Sequence, residues 1–429
     1  MSSDRTYFLD VSDLRIGIFV YLDLSWTEHP FSMSSFKLRS QQQIDTIRTL
    51  GLSRIRYSPE RSDPEALQAL AGAQNTPDEV KPVEAAVEKP LIQKTSHRQA
   101  LWAAQQESLA QCERQFADAS RGYKSIQKLV QDRPAVARQQ ATALIEGLLD
   151  KIQTDQETTI RLLSEKAGEE RSLHAINVSI IALLFGKALV LAPGRLKALG
   201  LGALLHDVGK IRLPEHLRWG DLPMNPLDKQ LFQRHVTYGL EIARNMGVDE
   251  EVLMLIGQHH EFVDGSGYPE GLRGDRMTLS CQLLSIVNLY DNLCNPANPP
   301  QAMTPHEAMS ILFAKMRSRF EKDLLVSFVR MMGVYPPGSL VELNDSRYAI
   351  VTSVSTTQPL KPTVLVYDPQ IPREEALLLN LEQTPELGVQ RSLKPLQLPR
   401  RAFEYLSPGR RVCYFFERAR SLSCHDPER

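Results

Sequence analysis

Six of the chain's ten histidines fall between residues 170 and 291, and five of them stand beside groups able to share a metal ion. His206 and Asp207 are adjacent in His206-Asp207-Val-Gly-Lys210, directly after the apolar run Leu201-Gly-Ala-Leu-Leu205. His174 lies 32 residues before His206 and His235 lies 29 after it. The pair His259-His260 leads into Glu261-Phe-Val-Asp264-Gly265-Ser-Gly267-Tyr268-Pro269. An adjacent His and Asp leave a helix about 100° apart, so the Asp207 carboxylate can bridge two cations while His206 serves one of them. Two cations roughly 3.5–4 Å apart lower the pKa of water and neutralise charge developing on a phosphate, which is the chemistry of phosphodiester hydrolysis. Glu170 precedes His174 by four residues on the same helical face and is a candidate ligand for a third ion. Mixed imidazole and carboxylate ligands suit iron, manganese or zinc better than calcium or magnesium. A lone histidine on an apolar face is ordinarily a core residue, and it is the clustering that argues for metal here. His216, His306 and His425 lack such partners and read as surface residues.

These side chains must be positioned by helices. Ile176, Ile180, Leu183 and Leu184 recur at helical spacing, as do Leu201, Leu204, Leu205 and Val208. Residues 141–335 therefore read as a helical domain, expected to hold His206 and Asp207 on one helix. Before it, residues 1–60 read as a small α/β unit. Ile16–Leu24 has strand composition, Ser40 is placed to cap a helix ending at Gly51, and Leu52–Tyr57 is a short closing strand. From Ser58 to about Thr95, five prolines among charged residues and alanines suggest a linker. Arg98 to about Val130 is helical in propensity, with apolar spacing that reads as too sparse for a sustained heptad and fits a solvated connector. Residues 61–140 are thus linker and connector helices. After Pro336-Pro337-Gly338 the pattern changes to alternation, predicting a β-rich extension over 336–429. The fold class expected is mainly α, with small α/β and β-rich flanks.

The bulk composition narrows the partners. A net charge of −1 over 429 residues does not suit a general binder of polymeric nucleic acid, which needs a basic excess, but allows one small charged ligand in a pocket. Five scattered cysteines form no CxxC pair, as expected for a reducing compartment. The N-terminus lacks a signal-peptide layout, and the run Val178–Ala192 is too short for a membrane span of about 20 residues. These features predict a cytoplasmic protein. The connector helices make a homodimer the default expectation.

Residues from about 145 to 335 resemble an HD-GYP domain, the helical branch of the HD metallohydrolases that hydrolyses cyclic di-GMP. His206-Asp207 corresponds to the HD and Gly267-Tyr268-Pro269 to the GYP. The resemblance implies metal ligands at Glu170, His174, His206, Asp207, His235, His259 and His260, holding two or three divalent transition ions, with iron or manganese favoured. It makes His206 and Asp207 catalytic, implies that Lys210 contacts a substrate phosphate, and has Asp264, Gly265, Gly267, Tyr268 and Pro269 shape the substrate side of the pocket. Partners would be cyclic di-GMP and other proteins of its signalling. The first 60 residues more loosely resemble an N-terminal domain often joined to HD-GYP domains, through Val11-Ser-Asp-Leu-Arg-Ile-Gly-Ile-Phe-Val20 followed by Trp26, Pro30 and Phe31.

The chain departs from the HD-GYP pattern at several positions. Where the family has an aspartate completing the first metal's ligands, this chain has Asn288, which offers a neutral oxygen. Asp291, three residues on, stands about 60° around the helix. Ala297-Asn298-Pro299-Pro300 replaces a segment carrying phosphate-binding arginines. Arg218-Trp219-Gly220-Asp221 replaces a Lys-Pro-Gly loop, and Phe262 stands at a usually basic position, with Arg273 and Arg276 as substitute cations. The leading expectation is hydrolysis of cyclic di-GMP to pGpG and/or GMP. The alternatives are a degenerate module that binds cyclic di-GMP or a protein partner with little turnover, and HD chemistry on another phosphoester.

Overall fold

The structure, a computed structural model, describes residues 7–22, 35–48, 50, 52, 54–71, 88–152, 158–163, 170–218, 224–407, 409 and 411–418; residues 68–71, 88–99, 170–171, 374 and 418 are described by backbone alone. The chain divides into two compact units, Met1–Lys89 and Pro90–Arg429.

The first unit is a four-stranded antiparallel sheet of β1 (Tyr7–Asp10), β2 (Phe19–Tyr21), β3 (Ser35–Lys37) and β4 (Arg54–Ser58), in the order β1-β4-β2-β3. Helix α1 (Gln41–Arg48) follows the predicted cap, with Ser40 Oγ accepting from the Gln43 N–H at 3.3 Å, and it buries Ile44 and Ile47. The strand read as closing, β4, is an interior one. The expected linker is also partly structured. Pro64–Ala71 forms α2, where proline suits a first turn and Glu, Ala, Leu and Gln favour helix, and Ala66 joins this unit's core. Residues 72–87 of that linker, and Trp26, Pro30 and Phe31, lie outside the described residues.

The second unit begins with α3 (Glu88–Leu129), α4 (Pro134–Ile152) and β5 (Thr158–Leu163). The helices that carry the chemistry follow: α5 (Glu170–Ala188), α6 (Pro193–Leu205), α7 (Glu215–Arg218), α8 (Pro226–Gln233), α9 (His235–Met246), α10 (Glu250–Gln258), α11 (Leu279–Cys294), α12 (Pro305–Lys315) and α13 (Lys322–Met332). The chain ends with β6 (Leu340–Leu343), β7 (Tyr348–Ser355), β8 (Thr363–Val366), β9 (Leu378–Asn380), β10 (Val389–Leu393), α14 (Arg400–Leu406) and β11 (Cys413–Arg418).

Three expectations need correction in this unit. The long connector α3 is not a solvated spacer. It buries Cys112, Phe116, Ala119, Tyr123 and Ile126, spaced four and three residues alternately, in the same core as α5, α6 and α11. The small apolar residues Cys112 and Ala119 hid that seam. Nor is the C-terminal sheet an appendage. Its central run β10-β6-β7-β5-β11 takes β5 from between α4 and α5, so the sheet and the helices close on one another. Strand β11 is buried from Cys413 to Phe416 and pairs with β5 in the register Tyr414 to Leu162. Finally, His306 is no bare surface residue: its Nδ1 meets the Val334 carbonyl at 2.8 Å, and its ring stacks on Tyr335.

Candidate metal centre

The site is assembled from helix ends. Helix α6 stops at Leu205, so His206 and Asp207 lie in the turn that follows rather than on one helix, and Val208–Arg212 continues as a tighter 3-10 helix. The reason lies in Gly209. A Cβ there would stand 1.9 Å from the His235 carbonyl oxygen and 2.4 Å from the Gly239 nitrogen. Only glycine lets this turn press backbone to backbone on the start of α9, which carries His235 to Asp207. His259 and His260 occupy the turn just past α10, His174 the second turn of α5, and Asn288 the buried face of α11.

Around Asp207 the rings form two sets. His174 and His206 bring Nε2 to 3.6 and 3.4 Å from Oδ2. His235 and His259 bring Nε2 to 3.4 and 3.8 Å from Oδ1. His260 joins the second set, whose ligand atoms lie within 4.8 Å of one another, as do those of the first.

The protonation pattern tests whether metal fits. The Nδ1 atoms of His206, His235 and His259 each lie 2.7 Å from the backbone carbonyl three residues earlier, at Ala203, Phe232 and Ile256. A carbonyl oxygen only accepts, so Nδ1 holds the proton and Nε2 of the neutral ring is left with a lone pair. Yet Nε2 of His174 faces that of His206 at 3.1 Å, and Nε2 of His235 faces that of His259 at 3.2 Å. Asp207 Oδ1 and His260 Nε2 are buried without hydrogen-bond partners among the described residues. Converging lone pairs and orphaned acceptors are what a cation satisfies, and the residues fit metal.

The electrostatics agree. Burial pushes the His235 imidazole down to about 4, and drives His259 and His260 well below the usual histidine value, keeping the rings neutral. Burial pushes the Asp207 carboxyl up, but Lys210, His206 and His235 together outweigh it and hold the group well below the usual carboxylate range. Lys210 Nζ lies 2.5 Å from Asp207 Oδ2.

Of the other predicted site residues, Asn288 is 2% exposed, with Oδ1 3.1 Å from His174 Nε2 and Nδ2 donating to the His259 carbonyl at 3.3 Å. The amide therefore turns its oxygen toward the metal ligands. The Glu170 side chain lies outside the described residues. Asp264 is exposed and shapes its loop by accepting from the Ser266 N–H at 2.9 Å. Gly265 has φ +79°, and a Cβ on Gly267 would lie 2.5 Å from the Glu261 Cα and the His260 oxygen. That close approach lets Tyr268 stack on His260 at 4.5 Å and donate its N–H to the His260 carbonyl, next to Pro269. Arg273 bridges to Asp264 through its backbone, while Arg319 places a guanidinium 4.9 Å from the Phe262 ring.

Two residues matter in ways the sequence did not reveal. Buried Glu261 accepts the N–H groups of Glu270, Gly271 and Leu272 at 2.7, 3.1 and 2.8 Å, tying down the loop after Pro269. Asp291 does not rotate into the site. Its Oδ2 takes His174 Nδ1 at 2.6 Å from behind, aiming Nε2 inward. The only available signal was its place three residues after Asn288.

Residues 127–324 match the HD domain family, and residues 8–141 match a domain of unknown function, DUF3391. A little under half of this chain thus matches the HD domain family. The DUF3391 match runs beyond the first compact unit, through α3 and into α4. Cyclic di-GMP phosphodiesterase PA4108 of Pseudomonas aeruginosa is 23% identical over 363 residues, 84% of each chain. Cyclic di-GMP phosphodiesterase response regulator RpfG of Xanthomonas campestris is 26% identical over 202 residues, 45% of this chain and 53% of the relative. The 3'3'-cGAMP-specific phosphodiesterase 1 of Vibrio cholerae is 32% identical over 142 residues, 32% of each chain. No helix among the described residues is long and apolar enough to cross a membrane.

Proposed function

We propose that the chain hydrolyses cyclic di-GMP to pGpG and/or GMP with divalent transition metals, iron or manganese, held at this centre. The observation that carries the reading is the division of Asp207, one oxygen turned to His174 and His206 and the other to His235 and His259. Two ions would share that carboxylate, with Asn288 adding an oxygen on the His174 side and His260 a nitrogen on the other. Glu170 is the candidate for a third. Bound ions of this kind lower the pKa of water and neutralise charge developing on phosphate.

The chain's own groups bind and orient the substrate. Lys210, at the edge of Asp207, is the cation positioned for a phosphate oxygen. The loop from Asp264 to Pro269 would wall the substrate pocket, stacked on His260 through Tyr268 and followed by the segment that Glu261 ties down. Cyclic di-GMP is favoured over other cyclic dinucleotides because the relative matching 84% of the chain is named for it. The same reading keeps the chain in the cytoplasm, where its buried free cysteines stay reduced.

The test is turnover of cyclic di-GMP and 3'3'-cGAMP, side by side, by protein purified without oxygen and supplied with iron or manganese. Faster appearance of pGpG or GMP from cyclic di-GMP is expected, and its loss in a His206→Ala, Asp207→Ala double variant. Undiminished turnover in that variant would sink the proposal.

A further inference from the structure

Three of the four imidazoles whose Nε2 lies within 4 Å of Asp207 are oriented locally. His206, His235 and His259 each use a carbonyl three residues back in their own turn. His174 instead relies on Asp291 from another helix, so its aim depends on whatever holds Asp291. The second oxygen of Asp291 accepts from two buried amides, Asn177 Nδ2 at 2.9 Å and Asn295 Nδ2 at 3.0 Å. Each amide is fixed in turn by the backbone at the start of β11. Asn177 Nδ2 donates to the Val412 carbonyl at 2.7 Å and its Oδ1 accepts from the Tyr414 N–H at 3.0 Å. Asn295 Nδ2 donates to the same carbonyl at 3.0 Å and its Oδ1 accepts from the Val412 N–H at 2.8 Å.

Every donor and acceptor of both amides is used, and neither can flip without setting its oxygen against both Asp291 and a carbonyl. The strand is anchored besides: the Tyr414 hydroxyl meets that of Tyr290 at 2.9 Å and donates to the Pro337 carbonyl at 3.2 Å. Residues 412–414 lie outside the span that matches the HD domain family.

We infer that Asn177 and Asn295 are positioning residues that make strand β11 part of the metal centre, coupling occupancy of the His174-side ion, and not the other, to the seating of the C-terminal sheet. This rests on the two-ion reading above. Loss of either amide frees Asp291 to turn toward the donor that remains and lets His174 swing, while His235 and His259 keep their carbonyls and His260 its stack on Tyr268. The loss of such an outer partner weakens metal binding about 10–100-fold.

The experiment loads the full chain with manganese under anaerobic conditions and measures ions per chain together with the electron paramagnetic resonance spectrum. The unaltered protein is expected to hold two ions with the signature of exchange-coupled neighbours. Asn177→Ala and Asn295→Ala, each folded by circular dichroism, are expected to hold one, with the spectrum of an isolated ion. Asn295→Ser, which keeps a hydroxyl near Val412 but falls short of Asp291, provides the milder lesion and the same expected spectrum. Retention of the coupled pair in the variants overturns the inference, as does loss of both ions together, which marks general destabilisation. Fewer than two ions in the unaltered protein overturns the two-ion reading itself and this inference with it.

Discussion

Asn288→Asp destabilises the metal-free protein but leaves the metal-loaded protein nearly unchanged, and that difference tests whether the Asn288 oxygen is a ligand. In the structure Asn288 Nδ2 donates to the His259 carbonyl at 3.3 Å, while Oδ1 stands 3.1 Å from His174 Nε2 and accepts from Asn292 Nδ2 at 2.9 Å. An aspartate keeps the shape but turns an acceptor toward the His259 carbonyl in a site that is 2% exposed. Losing that bond and setting an unpartnered oxygen against a carbonyl costs about 1–3 kcal/mol in the metal-free protein. With metal present the new charge faces a cation. Taking about 10–100-fold as the scale by which a neighbouring group changes affinity, the gain is about 1.4–2.7 kcal/mol. The two nearly cancel in the loaded protein. Urea unfolding should therefore show the variant less stable than the unaltered chain in chelator and close to equal in excess manganese. A competition titration against a coloured chelator should give the same affinity ratio, because ligand stabilisation and affinity are linked. Unchanged affinity, or an equal loss of stability in both conditions, refutes the reasoning and removes Asn288 from the ligands.

Glu261→Gln replaces one of two oxygens that together accept three backbone N–H groups, at a cost of about 1–3 kcal/mol; amide exchange at Glu270, Gly271 and Leu272 should quicken about 5–150-fold while bound metal stays constant. Gly209→Ala sets a Cβ against two backbone atoms that no rotamer change can clear, so its cost exceeds the about 1–3 kcal/mol of ordinary overpacking. Its thermal midpoint and metal content should fall together. Tyr268→Phe keeps the ring stacked on His260 and should leave metal content unchanged, whereas Tyr268→Ala should weaken the ion on the His235 side in the same titration.

The metal site was legible because its residues are chemically conspicuous. Histidine pairs beside acidic residues at fixed spacing have few other uses, and the glycines in His206-Asp207-Val-Gly and Gly267-Tyr-Pro mark where backbone meets backbone. What escaped notice had ordinary chemistry. The seam of α3 passes through Cys112 and Ala119, too small to register as an apolar stripe, so a core helix read as a spacer. The proline at Pro64 looked like a breaker but starts a helix. Strand β11 was included in the β-rich extension, but its pairing with β5 spans about 250 residues of sequence, and no local pattern reports such a partner.

One signal was present and went unread. Asn177 interrupts Ala175-Ile-Asn-Val-Ser-Ile180 on the most buried helix of the domain, and the structure leaves it 0% exposed. An amide placed there must find partners for two N–H groups and an oxygen, or cost several kcal/mol of desolvation. A polar residue inside an apolar helix face thus predicts a contact to another element even when the element cannot be named. Here the contact is β11 and the shared acceptor is Asp291, the group behind the one imidazole that has no local support. All four of these imidazoles could be placed from sequence, but His206, His235 and His259 are held by their own turns, whereas His174, whose support was missed, is held by the tertiary fold.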